Sequence, residues 1–357
     1  MDRRTNQRSA FLRFGVVACL CPLIVAADLT TPTLTESLLP KGITPETKEA
    51  IDRGLAYLAR TQDRQGSWSN RGRYGAYPVA MTALAGLAFL MDGNTPTQGR
   101  YAPQVDRALR YILRSAHPDG EISGGEAEGR PMYAHGFSML FLSQVYGMTE
   151  DPDRARQIHD VLTRAIELTA RAQSRGGGWY YTANARTDEG SVTITQVQAL
   201  RSCRNAGIAV PKKVIDRAMR YLEESQNSDG GIRYSLRQRR GASRPAITAA
   251  AVACWFNAGL YDSPRAKRAL AFAKQKVRPD RTAGGHDFYA HLYLAQAMFV
   301  SRDPDWDEYY AARRDRLLAL QNPDGSWQGD GVGDIYGTAL ALIVLQLPYN
   351  QLPIMQR

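Results

Sequence analysis

The sequence predicts an all-α protein: a closed (α/α)6 toroid in which six helical hairpins, about twelve helices, ring a central space. Three observations predict it. A glycine turn recurs six times, an amphipathic helix precedes each turn, and a helix almost free of charge follows it.

The turns are Gln65-Gly66-Ser67-Trp68, Asp119-Gly120-Glu121-Ile122, Gly176-Gly177-Gly178-Trp179, Asp229-Gly230-Gly231-Ile232, Ala283-Gly284-Gly285-His286 and Asp324-Gly325-Ser326-Trp327. Gly66, Gly120, Gly177, Gly230, Gly284 and Gly325 are spaced by 54, 57, 53, 54 and 41 residues. A period in this range marks a chain built from repeated helical pairs.

The helices before the turns carry one apolar stripe. The segments starting at Ile51, Val105 and Ile215 are near copies, each running apolar-Asp-Arg and reaching an aromatic at Tyr57, Tyr111 and Tyr221. That aromatic precedes its turn glycine by nine residues in all three, and Leu168 stands nine before Gly177. Apolar positions at i, i+4 and i+7 lie on one helical face, with Asp and Arg on the other, so these helices form the outer layer. The segments after the turns, Pro78–Leu90, Tyr133–Tyr146, Val192–Ala206, Ile247–Leu260, Asp287–Val300 and Asp334–Leu347, are rich in Ala, Leu and Met. Helices apolar nearly all round are buried on every side, which puts these six inside.

Helix pairs in series stack into an open array or close into a ring. An open array needs polar ends. The last inner segment, Gly337 to Leu345, is among the most apolar, so the first repeat is expected to cover it. The toroid domain spans 47–350, with a linker at 28–46 and a C-terminal tail at 351–357.

The 357 residues are 44% hydrophobic and 22% charged, enough for a sizeable core. That excludes a disordered chain, a collagen-like fibre and a disulfide-stapled miniature fold. The net charge is +10. Arg3, Arg4, Arg8 and Arg13 precede an apolar segment from Phe14 to Ala26, and Val25-Ala26-Ala27 supplies small residues before Asp28. This order is that of a signal peptide covering 1–27, which predicts a periplasmic or secreted protein. The alternatives are an uncleaved anchor, a disordered tail, or lipidation at Cys19. No apolar run reaches the ~18 residues of a spanning helix, so the mature chain is expected to have none. Cys203 and Cys254 then remain, both in Ala-rich helical context that suits buried thiols, and their pairing is possible but not demanded. Basic residues are mostly Arg, densest at Arg233, Arg237, Arg239, Arg240 and Arg244. That cluster is either a solvated loop or a rim for an acidic ligand. An exported chain without a recognition motif is not expected to bind nucleic acid.

The turn Gln321-Asn-Pro-Asp-Gly-Ser-Trp327 is similar to the QW turn of the squalene cyclases, and Asp63-Arg-Gln-Gly-Ser-Trp68 is a weaker copy. With the hairpin repeats, residues 47–347 resemble the prenyltransferase and squalene-oxidase repeat family, built on an α/α toroid. The resemblance implies a central cavity lined by the first turns of the inner helices, where the family's enzymes do their work. Two family signatures are missing. Triterpene cyclases protonate their substrate with an Asp-x-Asp-Asp cluster, and no such string occurs here; Asp151-Pro-Asp153 and Asp303-Pro-Asp305 stand in connectors. Protein prenyltransferases hold zinc with an Asp-x-Cys pair and a distant His, and the Asp-x-Cys pair is absent. Neither a metal nor another cofactor is therefore expected.

The inner-helix starts supply the candidate cavity residues. Tyr77, Tyr133, Tyr289 and Tyr336 occupy similar places in repeats 1, 2, 5 and 6, and His135 and His291 follow in matching Tyr-Ala-His strings. They either hydrogen-bond neighbouring repeats or line a cavity able to stack on a ligand and move protons. Repeat 3 adds Trp179, Tyr180 and Tyr181, then Asp188 and Ser191, either of which could cap the inner helix. Candidate catalytic residues are Tyr133, His135, Asp287, Tyr289, His291 and Asp334; candidate ligand contacts are Trp179, Tyr180, Tyr181, Asp188, Arg233 and Tyr336. Three functions fit. The first is an exported toroid that binds an apolar or acidic ligand, or a partner, without the family's chemistry. The second is a terpenoid cyclase-like enzyme with an altered acid, Asp334 or Asp287. The third is a lyase or hydrolase of acidic polysaccharides using Tyr, His and Arg.

Overall fold

A computed structural model describes residues 39–70, 72–125, 128–281 and 285–356. The expected signal segment, most of the linker, and Ala283 and Gly284 of the fifth turn lie outside them. Among the described residues, twelve α-helices follow in order. The outer ones are α1 (Pro45–Thr61), α3 (Ala102–Arg114), α5 (Pro152–Ala172), α7 (Lys212–Glu224), α9 (Pro264–Lys276) and α11 (Trp306–Leu320). The inner ones are α2 (Pro78–Met91), α4 (Pro131–Tyr146), α6 (Gly190–Asn205), α8 (Pro245–Asn257), α10 (Asp287–Ser301) and α12 (Asp334–Leu345). Each inner helix packs on the next, and α12 packs on α2, so the ring closes as an α/α toroid.

The two helix types bury what their sequences predict. α3 buries only its stripe of Val105, Ala108, Leu109, Ile112 and Leu113, whereas α2 buries every residue from Val79 to Met91. Three inner helices start on proline, at Pro78, Pro131 and Pro245. A first-turn N–H has no partner inside its helix, so proline loses nothing there and presets φ. For this reason α4 and α8 begin two residues earlier than the apolar pattern alone suggests.

The turns hold neighbouring repeats together. Gly66, Gly120, Gly177, Gly230 and Gly325 all have φ near +90 to +100, and each presses on a carbonyl of the following repeat's outer helix. A Cβ at Gly177 would lie 2.4 Å from the Arg217 carbonyl oxygen, and one at Gly325 would lie 2.5 Å from that of Arg53. Only glycine fits both the dihedral and the space. Where the turn begins with glutamine, its amide spans the same junction. Gln173 Nε2 donates to the Gly177 and Val214 carbonyls at 2.8 and 2.9 Å, and Gln321 Nε2 donates to those of Gly325 and Ala50 at 3.1 and 2.9 Å. The turn tryptophan then locks its own hairpin: Trp68, Trp179 and Trp327 donate Nε1–H to the carbonyls of Leu58, Thr169 and Leu317 at 2.8, 2.7 and 2.8 Å.

The stretch expected as a C-terminal tail is part of the core. Short 3-10 turns at Leu347–Tyr349 and Pro353–Met355 pack on inner helices, and Leu352 and Ile354 are 0% and 1% exposed. Gln296 Nε2 donates to the Ile354 carbonyl at 3.2 Å, near the C-terminal end of α10. This segment covers the ring at the C-terminal ends of the inner helices. Cys203 and Cys254 are buried free thiols, so the possible disulfide between them is not formed.

Candidate functional site

The opposite end of the ring opens into a cavity of about 610 Å³, lined by first-turn residues of all six inner helices and by the loops before them. Five of these loops reach back to the inner helix of the preceding repeat. Glu128 accepts from Val79 N and Ala80 N of α2 at 2.7 and 3.2 Å, and Asp330 accepts from Phe288 N and Tyr289 N of α10 at 3.2 and 3.3 Å. The Tyr181 carbonyl accepts from Met132 N at 3.1 Å, and the Tyr234 carbonyl from Gly190 N at 2.8 Å. Asn70 Oδ1 accepts from Tyr336 N at 3.3 Å. Five inner helices therefore have an otherwise orphaned N–H satisfied by the following repeat, which fixes the cavity's rim to its walls.

The cavity is graded from mouth to base. Tyr74, Arg130, Arg244, Lys276 and His286 are exposed at the mouth. Below them stand half-buried Tyr77, Tyr133, Tyr181 and Tyr234. Deeper still, Met81, Leu84, Phe137, Ile247, Tyr289 and Tyr336 are buried. The Arg130 guanidinium stacks 4.4 Å from the Tyr181 ring centroid, a cation–π geometry. Tyr181 and Tyr234 share a hydrogen bond of 2.5 Å.

Among the described residues, one carboxylate lines the wall, Glu189. It caps α6, accepting from Ser191 N, Ser191 Oγ and Val192 N at 3.0, 2.8 and 2.9 Å. Burial raises its pKa, opposed by those N–H groups and by the Ser191 hydroxyl. Tyr133 Oη lies 2.5 Å from Ser191 Oγ. Because the serine's single hydrogen goes to Glu189, Tyr133 is the donor of that bond. Burial and then the Glu189 charge push the Tyr133 phenol well up.

Of the predicted contacts, Tyr133, Tyr181, Tyr289 and Tyr336 line the cavity, as does Tyr77. The others lie elsewhere. His135 is fully buried between its helix and its turn, with Nδ1 accepting from Ile122 N at 3.2 Å and Nε2 facing Thr169 Oγ1 at 2.9 Å. In four other repeats a threonine does the same work: Thr82, Thr193, Thr248 and Thr338 accept from Trp68 N, Trp179 N, Ile232 N and Trp327 N. His291 is buried behind the wall, 2.7 Å from Tyr309 Oη. Asp287 pairs with buried Arg313 at 3.0 Å, and Asp334 accepts from Tyr57 Oη at 2.5 Å. Neither acid faces the cavity.

In repeat 3, Trp179 is wholly buried, and Tyr180 packs on Tyr181 at 4.5 Å between centroids without reaching the cavity lining. Asp188 accepts from Tyr221 Oη, Ser235 Oγ and Leu236 N at 3.0, 2.8 and 3.0 Å. Glu189, rather than Asp188 or Ser191, caps the inner helix. Arg233 is tied to backbone carbonyls of Glu224 and Arg239, and of its cluster only Arg244 lines the cavity.

Sequence reasoning missed Arg130, Glu189, Tyr234, Lys276 and His286. Tyr234 was within reach, since it follows Gly230 by four residues just as Tyr181 follows Gly177. Among the described residues, no group of three or more His, Cys, Asp or Glu is placed to hold a metal ion.

No known family model matches the chain. A curated relative, drimenyl diphosphate synthase of Streptomyces showdoensis, is 26% identical over 202 residues, covering 56% of this chain and 34% of that protein. The aligned region thus spans about a third of the relative's length. Among solved structures, a variant of the type II terpene cyclase MstE from Scytonema with geranylgeranyl dihydroxybenzoate, its substrate, superposes with a TM-score of 0.60 at 16% identity. That match covers 86% of this chain and 98% of the other. An inactive α-1,6-mannanase variant from Salegentibacter with α-1,6-mannotriose also gives 0.60, at 12% identity over 84% and 98% of the chains. Likeness at these identities establishes the fold, and the closed ring, the QW-type turns and the central cavity agree with it. In fold, the chain is a squalene-cyclase-like α/α toroid of the kind seen in type II terpene cyclases.

Proposed function

We propose that this is an exported protein that binds a largely apolar ligand in its central cavity. The carrying observation is the grading of that cavity, with Met81, Leu84, Phe137 and Ile247 in its depth and hydroxyls and basic groups at its mouth. A cavity of about 610 Å³ is of the size that encloses a small organic ligand. The bound geranylgeranyl compound of the MstE complex supports the reading by analogy of fold. Export is inferred from the basic and apolar run ending at Ala27. The chain lacks both the Asp-x-Asp-Asp string and the Asp-x-Cys pair, so the reading requires no chemistry.

Native mass spectrometry of the purified mature protein, followed by solvent extraction, tests this. The expected result is a retained apolar compound of a few hundred daltons that Leu84→Trp displaces. No retained compound, together with no thermal shift from 1-dodecanol, rejects it. N-terminal sequencing beginning at Asp28 is the expected result for export.

A cyclase-like reading keeps one observation in its favour, since Glu189 is a buried carboxylate on the cavity wall. It replaces Asp287 and Asp334, which face away. An isoprenoid olefin cyclised by the wild type and left intact by Glu189→Gln would establish it. A polysaccharide enzyme using Tyr, His and Arg needs its histidines accessible, and His135 and His291 are both buried behind the wall.

A further inference from the structure

Among the described residues, Arg130 stacks on Tyr181 but pairs with no carboxylate. It is the N-cap residue of α4 and lies at the cavity mouth, and among the described residues its guanidinium has no ion pair and no hydrogen bond. Burial works against its charge, but the oxygens of Tyr181, Tyr77, Tyr133 and Tyr234 outweigh that effect and raise its pKa. The Tyr181 ring stands 4.4 Å from it, and Tyr77, Tyr133 and Tyr234 line the same cavity.

The donors around this guanidinium exceed the acceptors. Tyr181 and Tyr234 have two phenolic hydrogens and one shared bond, so one hydrogen is left over. Tyr77 Oη has no hydrogen-bond partner among the described residues. The nearby acceptor, Glu189, is saturated by Ser191 and Val192, and its charge sits on the N-terminus of α6. Arg244 and Lys276 add two more cations on the same mouth, unpaired among the described residues. A site rich in donors and poor in free acceptors suits an oxyanion, which only accepts.

We propose that the mouth of the cavity holds the oxyanion head of a lipid, a carboxylate or a phosphate, with Arg130 as the fork and Tyr77 and the Tyr181–Tyr234 pair as neutral donors. This rests on the apolar-ligand reading above and adds the head group and its orientation: charge at the mouth, chain toward Leu84 and Phe137. A guanidinium suits the role because its planar fork bonds two oxygens at once.

The test uses the mature protein and three probes of equal chain length: 1-dodecanol, dodecanoate and dodecyl phosphate. Their affinities are measured by calorimetry for the wild type, Arg130→Met and Arg130→Lys, with unliganded melting temperatures as a check on folding. The wild type is expected to bind at least one anion about tenfold or more tighter than dodecanol, and the tighter anion identifies the head. Arg130→Met removes that preference while dodecanol binding stays within about twofold, and Arg130→Lys restores part of it. Dodecanol binding as tightly as both anions overturns the head-group site and leaves the cavity reading standing. An equal loss for all three probes in Arg130→Met also overturns it. If no probe binds, the cavity reading falls and takes this proposal with it.

Discussion

Gln321 and Ala50 join the two ends of the ring: the Gln321 amide donates to the Ala50 carbonyl at 2.9 Å across 271 residues of sequence. The same side chain donates to Gly325 O and accepts from Arg53 Nε, each at 3.1 Å. One glutamine therefore ties the last turn, the first helix and its own loop. Replacing it by Ala leaves part-buried groups unpaired, and about 2–3 kcal/mol of stability is expected to be lost. Urea unfolding checks this, and a loss below about 0.5 kcal/mol would show that packing alone closes the ring.

The turn glycines separate two physical effects. Gly259 has φ +80, and a methyl group in place of its hydrogen would meet nothing within 4 Å, whereas Gly325 at φ +88 faces the Arg53 carbonyl. Gly259→Ala is expected to cost roughly 1–2 kcal/mol, from left-handed backbone alone. Gly325→Ala adds a steric clash and should exceed about 3 kcal/mol. Equal losses in the two variants would mean that the outer helix simply shifts away.

His135 makes the fold sensitive to acid. Burial lowers its pKa from 6.5 to about 4. Between these values the unfolded chain takes a proton that the folded chain refuses, so stability falls as pH drops from about 6.5 to about 4 and levels off below. The full effect is about 3 kcal/mol. His135→Thr copies the residue of four other repeats and should flatten that part of the stability profile, read as melting temperature against pH. An unchanged slope would assign the acid sensitivity to other groups.

The C-terminal segment is expected to behave as core. Ile354→Ala should cost about 2–4 kcal/mol, as for other buried large-to-small changes. A variant indistinguishable from wild type by calorimetry would return residues 351–357 to the status of a tail.

The two cysteines are expected to be inert in the native state. Burial raises the Cys203 thiol to about 12 and pushes Cys254 up as well. A thiol reagent at pH 8 should label neither in the folded protein and both after denaturation. Rapid native labelling would indicate local opening of α6 or α8.

The hairpins, their order and their two layers were legible in the chain, because helical periodicity and glycine turns are local properties. The rotation of each inner helix was legible in part. Tyr133 and His135 are two residues apart, about 200° around a helix, so a cavity-facing tyrosine turns its histidine toward the outer layer. Tyr289 and His291 repeat this, and the threonine in the same register at Thr82 and Thr338 marks the position as a turn acceptor. The cavity's composition belongs to the tertiary structure alone. Arg130, Glu189, Arg244 and Lys276 come from four different repeats, the first three in loops and Lys276 at the end of α9, with no shared spacing to read. They meet only because the ring closes and the loops bond the inner helices of the repeats before them. Asp287 and Asp334 show the converse. Each opens an inner helix, as a cavity acid would, yet each finds a buried partner in the outer layer, Arg313 and Tyr57, and turns its charge away from the centre.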